Sequence, residues 1–86
     1  MKMTELEVKT KIEDSILNDG ICPEMITNEG FVMEGVSDIC IKTNNANEVC
    51  GTVTIDLEDN ELGVESICGD FEIVDDNVNF GEFTPV

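Results

Sequence analysis

The chain has 86 residues, 41% of them hydrophobic, which predicts one small folded domain, residues 1–86, with an aliphatic core. The chain contains twenty Asp and Glu residues and four lysines, with no arginine or histidine, so its net charge is −16. Binding to nucleic acid or to an anionic membrane surface depends on Lys and Arg, so this balance argues against both and favours a basic protein as the partner.

The N-terminal segment has the pattern of an amphipathic helix. Thr4 and Glu7 have the spacing of a capping box, in which each side chain accepts a hydrogen bond from the other residue's backbone. Apolar residues then recur one helical turn apart at Val8, Ile12 and Ile16. A stop signal at Asn18-Asp19-Gly20 predicts a helix over Thr4–Asp19, and Pro23 predicts a short second helix over Pro23–Thr27.

From Gly30 onward the apolar residues alternate with period two, which is typical of β-strands. The clearest strand is Val49–Glu58, with Val53 and Ile55 on its apolar face and Asp56 on its polar face. The other predicted strands are one led by Phe31–Met33, then Asp38–Thr43, Leu62–Cys68, Asp70–Val74 and Val78–Phe83, with Gly69 as a break. Short turns without intervening helices predict an α+β fold, in which the N-terminal helix packs on an antiparallel meander sheet of about five strands.

Four cysteines accompany a short internal echo, GVSDIC at Gly35–Cys40 and GVESIC at Gly63–Cys68. The two copies are expected on strands that flank Val49–Glu58. Alternation predicts Cys40 and Cys50 on the polar face, and Cys68 on the apolar face with Leu62 and Val64. No Cys-x2-Cys pair is present, so we expect Cys22, Cys40, Cys50 and Cys68 to be small packed thiols. A metal cluster and a Cys40–Cys50 disulfide are the alternatives.

The residues that most enzymes use are missing. Without histidine, acid–base chemistry near neutrality would need a strongly shifted carboxylate, lysine or thiol. Neither a glycine-rich phosphate loop nor a G-x-S-x-G motif occurs. The run Asp56–Glu61 alternates like a calcium loop, but Glu61 and Ile67 stand where that loop needs Gly and Glu. We therefore expect a protein that is not an enzyme and has no cofactor or bound metal.

The acidic residues are concentrated in the C-terminal half, where Asn44–Val86 carries eleven acids and no base. On a strand, Asp56 and Glu58, like Asp70 and Glu72, would stand about 6.7 Å apart on one face, on the scale of successive phosphates. The candidate partner-binding residues are Asp56, Glu58, Asp59, Glu61, Glu65, Asp70, Glu72, Asp75 and Asp76. Rows of carboxylates on a rigid sheet predict an inhibitor that occupies the basic nucleic-acid-binding surface of another protein, although such a face can also serve solubility alone.

In size and charge the chain resembles phage-encoded anti-CRISPR and anti-restriction proteins, uracil-glycosylase inhibitors, and immunity proteins that neutralise toxin nucleases. The resemblance implies a nucleic-acid mimic acting on a basic enzyme or effector, and it includes no motif that assigns a residue. The alternative is a non-catalytic structural or oligomerisation module of a phage or mobile-element assembly, with a homodimer as one form. No apolar run of signal-peptide or membrane-span length is visible, so we expect a cytoplasmic location, in the host cell if a phage encodes it.

Overall fold

A computed structural model describes residues 3–86 of the chain, which form two helices followed by four strands. The elements are α1 (Glu5–Leu17), α2 (Glu24–Glu29), β1 (Met33–Thr43), β2 (Val49–Leu57), β3 (Ser66–Val74) and β4 (Asn77–Pro85). The strands pair in the order β1-β2-β3-β4, and each pair is antiparallel. The predicted α+β meander is therefore confirmed, but it has four strands rather than five.

Helix α1 begins at the predicted capping box. The Thr4 backbone N–H donates to Glu7 Oε1 at 3.0 Å, and the Glu7 N–H donates to Thr4 Oγ1 at 3.2 Å. The helix ends at Leu17, and the Asn18 N–H still donates to the Asp14 carbonyl. Val8 and Ile12 are fully buried, so the predicted apolar stripe does face the core.

Helix α2 begins one residue after Pro23, which takes the N-cap position instead of the first turn. It extends two residues past the predicted end, and Gly30 stops it with a left-handed φ of 69°. The buried side chain of Ile26 joins the core, where α2 packs against β4. None of the helices within residues 3–86 is long and apolar enough to cross a bilayer.

The strand count differs from the prediction because two strands continue through predicted breaks. β1 is one strand with two register shifts, between Met33 and Gly35 and between Val36 and Asp38. Each shift interrupts the period-two pattern that the sequence would otherwise show. β3 passes through Gly69, which pairs with Val53 of β2 and Phe83 of β4. A Cβ atom there would lie 2.4 Å from Phe83 Cδ1, so only glycine fits. Gly69 thus provides space for an aromatic ring and is not a strand end.

The core lies between the helices and one face of the sheet. α1 packs against β1 and β4 and covers this face together with α2. The sheet contributes aliphatic residues from its central strands, and Val53, Ile55 and Ile67 are almost fully buried. Three phenylalanines complete the core: Phe31, Phe71 and Phe83. The opposite face of the sheet has no helix packed on it within the described residues.

Candidate partner-binding face

The side of the sheet that faces away from the helices, which we call the open face, carries short neutral side chains and carboxylates. Its members on β1, β2 and β3 are Asp38, Cys40, Lys42, Cys50, Thr52, Thr54, Asp56, Ser66, Cys68, Asp70 and Glu72. The register places them in rows across the strands. Asp38, Thr54 and Cys68 form one row; Cys40, Thr52 and Asp70 form the next; Lys42, Cys50 and Glu72 form a third. All are at least partly exposed, whereas their neighbours along each strand alternate into the core.

The cysteines lie partly where they were predicted. Cys40 and Cys50 are on the open face as expected, but Cys68 also lies there, so its predicted inward orientation is wrong. That prediction took its parity from Leu62 and Val64, which the structure places in a loop before β3. The two copies of the echo do end on β1 and β3, which flank β2, and their cysteines are on the same side.

All four thiols are free. Cys40 stands opposite Thr52, which makes Cys50 its diagonal neighbour. Diagonal positions have Cα atoms about 7–8 Å apart, beyond the usual span of a disulfide. Cys22 is remote from the open face, beside α2, with its Sγ 3.1 Å from Thr27 Oγ1. Within residues 3–86, no group of three or more Cys, Asp or Glu side chains could hold a metal ion.

Three of the nine predicted partner-binding residues lie on the open face. Asp70 and Glu72 are exposed and occupy successive outward positions on β3. Asp56 is half-buried on β2, where its Oδ1 accepts a hydrogen bond from Ser66 Oγ at 2.7 Å. This bond fixes the Asp56 carboxylate against the sheet, while Asp70 and Glu72 extend into solvent.

Four more predicted residues lie together in the loop between β2 and β3: Glu58, Asp59, Glu61 and Glu65. The strand predicted over Val49–Glu58 ends one residue earlier, at Leu57, so Glu58 begins the loop, although its N–H still donates to the Val32 carbonyl at 2.9 Å. The predicted start of the next strand at Leu62 is wrong, since β3 begins at Ser66 and the loop covers residues 58–65. Asn60 organises the loop: its Nδ2 donates to the Glu58 and Val64 carbonyls at 3.0 and 2.8 Å, and its Oδ1 accepts from the Val64 N–H at 3.1 Å.

The last two predicted residues form the turn between β3 and β4, at the opposite end of the sheet. Asp75 and Asp76 both have positive φ angles, 49° and 69°, between the paired residues Val74 and Asn77. This is the geometry of a two-residue type I′ hairpin. Lys11 of α1 lies 2.8 Å from Asp76 Oδ1, and this is the one ion pair formed within the described range. The nine acids thus lie at both ends of the sheet and on its open face, instead of forming one cluster.

Two charged residues of the open face were not among the predicted site residues. Asp38 and Lys42 point outward from β1, in the same rows as Cys68 and Cys50. Asp38 Oδ1 accepts a hydrogen bond from the Ile39 N–H at 2.9 Å, which holds that carboxylate near the sheet. The alternation of Ile39 and Ile41 could have identified both residues, because it already placed Cys40, two positions from each of them, on the polar face.

The capping box contains the one carboxyl whose pKa is clearly shifted among the described residues. Hydrogen bonds from the backbone N–H and then the side chain of Thr4 hold the pKa of Glu7 below its ordinary value. Glu7 is exposed on α1, away from the open face. The lowered pKa of Glu7 therefore affects the stability of the start of α1 and not partner binding.

Comparison with known proteins adds no family to these observations. No protein-family model matches the chain, and neither does any curated protein or solved structure.

Proposed function

We propose that this protein is an acidic inhibitor that binds the basic, nucleic-acid-binding surface of another protein. The observation that carries the proposal is the placement of carboxylates along a rigid sheet, from the 58–65 loop across the open face to the turn at Asp75 and Asp76. The net charge of −16 adds long-range attraction for a cationic partner.

The sheet gives these charges fixed positions, which a disordered acidic tail would lack. Asp70 and Glu72 stand about 6.7 Å apart on β3, where both pair with β2 and Glu72 also pairs with Asn79 of β4. A protein that binds duplex mainly through Lys and Arg recognises charge in such an array much as it recognises phosphates. Asp56 and Asp38 extend the array across neighbouring strands.

The test is capture of partners from a lysate of the source cell on the immobilised chain at about 50 mM salt, followed by elution with increasing salt. We expect a basic nucleic-acid-binding protein that elutes below about 0.5 M salt and that duplex or single-stranded nucleic acid displaces. Capture of no such protein, or of one that neither salt nor nucleic acid releases, would contradict the proposal.

A pair of charge-matched variants separates a specific surface from general acidity. The first neutralises sheet carboxylates through D56N, D70N and E72Q, and the second neutralises exposed carboxylates elsewhere through E5Q, D19N and E29Q. Both raise the net charge by the same amount. The proposal requires a larger loss of binding in the first, and equal losses would indicate that only total charge matters.

A second candidate function is a non-catalytic assembly module, and the thiols that are at least partly exposed on the open face favour it. Cysteine behaves as a small apolar residue, so Cys40, Cys50 and Cys68 on an uncovered face are consistent with contact to another subunit. Light scattering after gel filtration would support this function if it gave a dimer or larger species unaffected by salt. A monomer at every salt concentration would exclude self-assembly.

A further inference from the structure

The sheet ends in two edge strands, β1 and β4, and side chains block the edge of β1. The Val36 N–H donates to Glu13 Oε2 of α1 at 3.3 Å, and the Ile39 N–H donates to Asp38 Oδ1 at 2.9 Å. Two register shifts interrupt β1 as well. Charged side chains and bulges at an edge hinder another chain from pairing with it, so β1 is a poor template for a further strand.

The edge of β4 lacks such acceptors in its segment Asn77–Phe80. The two-residue turn after β3 makes Val74 and Asn77 a hydrogen-bonded pair. Because hydrogen-bonded and non-hydrogen-bonded pairs alternate, the N–H and C=O groups of Val78 and Phe80 point away from β3. The side chains that accept from backbone N–H groups within residues 3–86 bond other residues than these two. The outward groups of Val78 and Phe80, which we call the β4 edge, can therefore bond an added strand.

Two grooves lie beside the β4 edge. The α1 groove, between α1 and the start of β4, has a volume of about 670 Å³, and its apolar lining includes Leu6, Ile21 and Val78. The α2 groove, between α2 and β4, has a volume of about 710 Å³, and its apolar lining includes Cys22, Met25 and Phe80. Ile21 and Cys22 are consecutive residues, so the two grooves adjoin.

The spacing of the grooves matches the repeat of a β-strand. Val78 lines the α1 groove and Phe80 lines the α2 groove. Residues two positions apart on a strand face the same side at a distance of about 6.7 Å. A fifth strand beside β4 would therefore direct one side chain into the α1 groove and the next residue on that face into the α2 groove. Strand addition works in this way, because backbone hydrogen bonds give affinity and pockets select alternate side chains.

The charged residues of the grooves decide which side chains fit. The α1 groove contains Asp14 and Asp19, and its one lysine within the described residues, Lys11, already pairs with Asp76. The charged residues that line the α2 groove are Glu24, Glu29 and Glu82. A lysine or arginine would lay its aliphatic stem along the apolar lining and bring its cationic head to these carboxylates. The β4 strand of a second copy has no lysine or arginine and would add a further Glu82.

From the unblocked edge and the two grooves together, we infer that the β4 edge binds an extended basic segment of a partner protein. The segment adds to the sheet as a fifth, antiparallel strand, and its alternate Lys or Arg side chains enter the α1 and α2 grooves. This inference goes beyond the proposed function, because it assigns a binding mode on another part of the molecule and does not require a partner that binds nucleic acid.

The probe is a short synthetic peptide that alternates lysine and threonine, added to the intact chain at about 50 mM salt. Amide hydrogen exchange, measured by NMR, reports whether the β4 edge becomes hydrogen-bonded. We expect exchange at Val78 and Phe80 to slow about tenfold at saturation, with Val36 and Ile39 unchanged. No binding, or binding that leaves Val78 and Phe80 unprotected, would overturn the inference. Protection that grows with chain concentration without peptide would assign the edge to a second copy and would also overturn it.

Two methylated peptides of equal charge separate strand addition from simple attraction. In an antiparallel fifth strand, the residues whose side chains enter the grooves also point their N–H groups at β4. Methylation of the lysine backbone nitrogens removes those donors, whereas methylation of the threonine backbone nitrogens leaves them intact. We expect the first peptide to bind about tenfold more weakly than the second. Equal affinities, or the reverse order, would contradict the antiparallel strand.

A pair of single substitutions tests the grooves from the side of the protein. E82K reverses a charge in the α2 groove, and E34K makes the same change at an exposed position on β1. We expect E82K to weaken peptide binding about tenfold more than E34K, with both variants folded by circular dichroism. Equal effects would overturn the inference, since they would show that only total charge matters.

The inference and the proposed function fail in different ways. If the lysate yields no basic nucleic-acid-binding protein but the alternating peptide still protects Val78 and Phe80, the proposed function fails and the β4 edge stands. If such a protein is captured and leaves the Val78 and Phe80 amides as exchangeable as in the free chain, and the peptide does the same, the function stands and the β4 edge is wrong.

Discussion

At Gly51 the backbone of β2 passes so close to β1 that no side chain can fit. A Cβ atom there would lie 1.8 Å from the Cys40 carbonyl oxygen, and the φ angle of 148° is one that residues with a side chain rarely adopt. Gly51 also pairs with Phe71 on β3, in the same way that Gly69 pairs with Phe83 on β4. Each glycine thus helps to set the register between two paired strands.

The first prediction follows from this contact. G51A should lower the free energy of unfolding by about 3 kcal/mol or prevent folding, because the new methyl group collides with backbone and the φ angle is strained. The control is G35A, also in a strand, where a Cβ would meet its nearest atom, Glu13 Oε2, at an ordinary 3.9 Å. That variant should stay within about 0.5 kcal/mol of the parent in urea unfolding. Comparable losses in the two variants would refute the account of Gly51.

The second prediction concerns the pH dependence of the capping box. Because the folded-state pKa of Glu7 is lowered, its contribution to stability is complete above the unfolded-state pKa, and it is lost as the pH falls through the folded-state value. E7Q should therefore be less stable than E5Q at neutral pH, although both remove one charge from the first turn of α1. The difference should shrink in acid, as urea unfolding at several pH values would show. A gap that is independent of pH would contradict this assignment.

Single residues also show why part of the site could not be predicted. Cys68 was predicted to point inward because it is an even number of positions from Leu62 and Val64. Those two residues lie in the loop at 58–65, so the alternation of side chains in β3 does not extend to them. The hydrogen bonds of Asn60 that shape this loop join residues up to four positions apart and leave no hydrophobic pattern. A parity argument is valid only within one uninterrupted strand.

At the scale of elements, local signals predicted the helices better than the strands. The capping box at Thr4 located the start of α1, because all its hydrogen bonds lie within three residues. The reason for Gly69 inside β3 is instead the ring of Phe83, which lies fourteen positions later in the chain and on another strand. Sequence alone therefore predicted the meander and its general order, but not the number of strands.

The third prediction belongs to the turn between β3 and β4. Asp75 and Asp76 adopt left-handed angles that Asn and Gly adopt more easily, so D75N/D76G should raise the free energy of unfolding by about 1 kcal/mol. The exposed Lys11–Asp76 ion pair is lost, which costs less than this gain. D59N/E61Q removes the same charge from the 58–65 loop and is the control. If the control is stabilised equally, relief of repulsion and not turn geometry explains the gain.

At the scale of the whole molecule, excess negative charge opposes folding. The chain has twenty acidic residues but four lysines to neutralise them, and one ion pair forms within residues 3–86. The sequence identified this acidity and named nine of the twenty acids as candidate partner-binding residues. It could not show that these nine divide among a loop, a sheet face and a turn, because that division depends on where the strands end. The functional class stays a prediction.

The fourth prediction is that salt stabilises the fold. Raising the ionic strength from about 0.01 M to about 0.3 M shortens the screening length several-fold and should increase the urea midpoint. The variant with D56N, D70N and E72Q should start from a higher midpoint and respond less to salt. A midpoint that does not change with salt in either protein would show that self-repulsion is negligible.

The strand order β1-β2-β3-β4 also has a kinetic consequence. Each strand pairs with the one made just before it, so no pairing has to wait for a distant segment of chain. Loop closure between consecutive strands is entropically inexpensive, and topologies of this kind refold on a timescale of about milliseconds. During synthesis, each strand after the first can add to a sheet edge that already exists as soon as it leaves the ribosome. Only the packing of α1 and α2 against β4 must await the last strand.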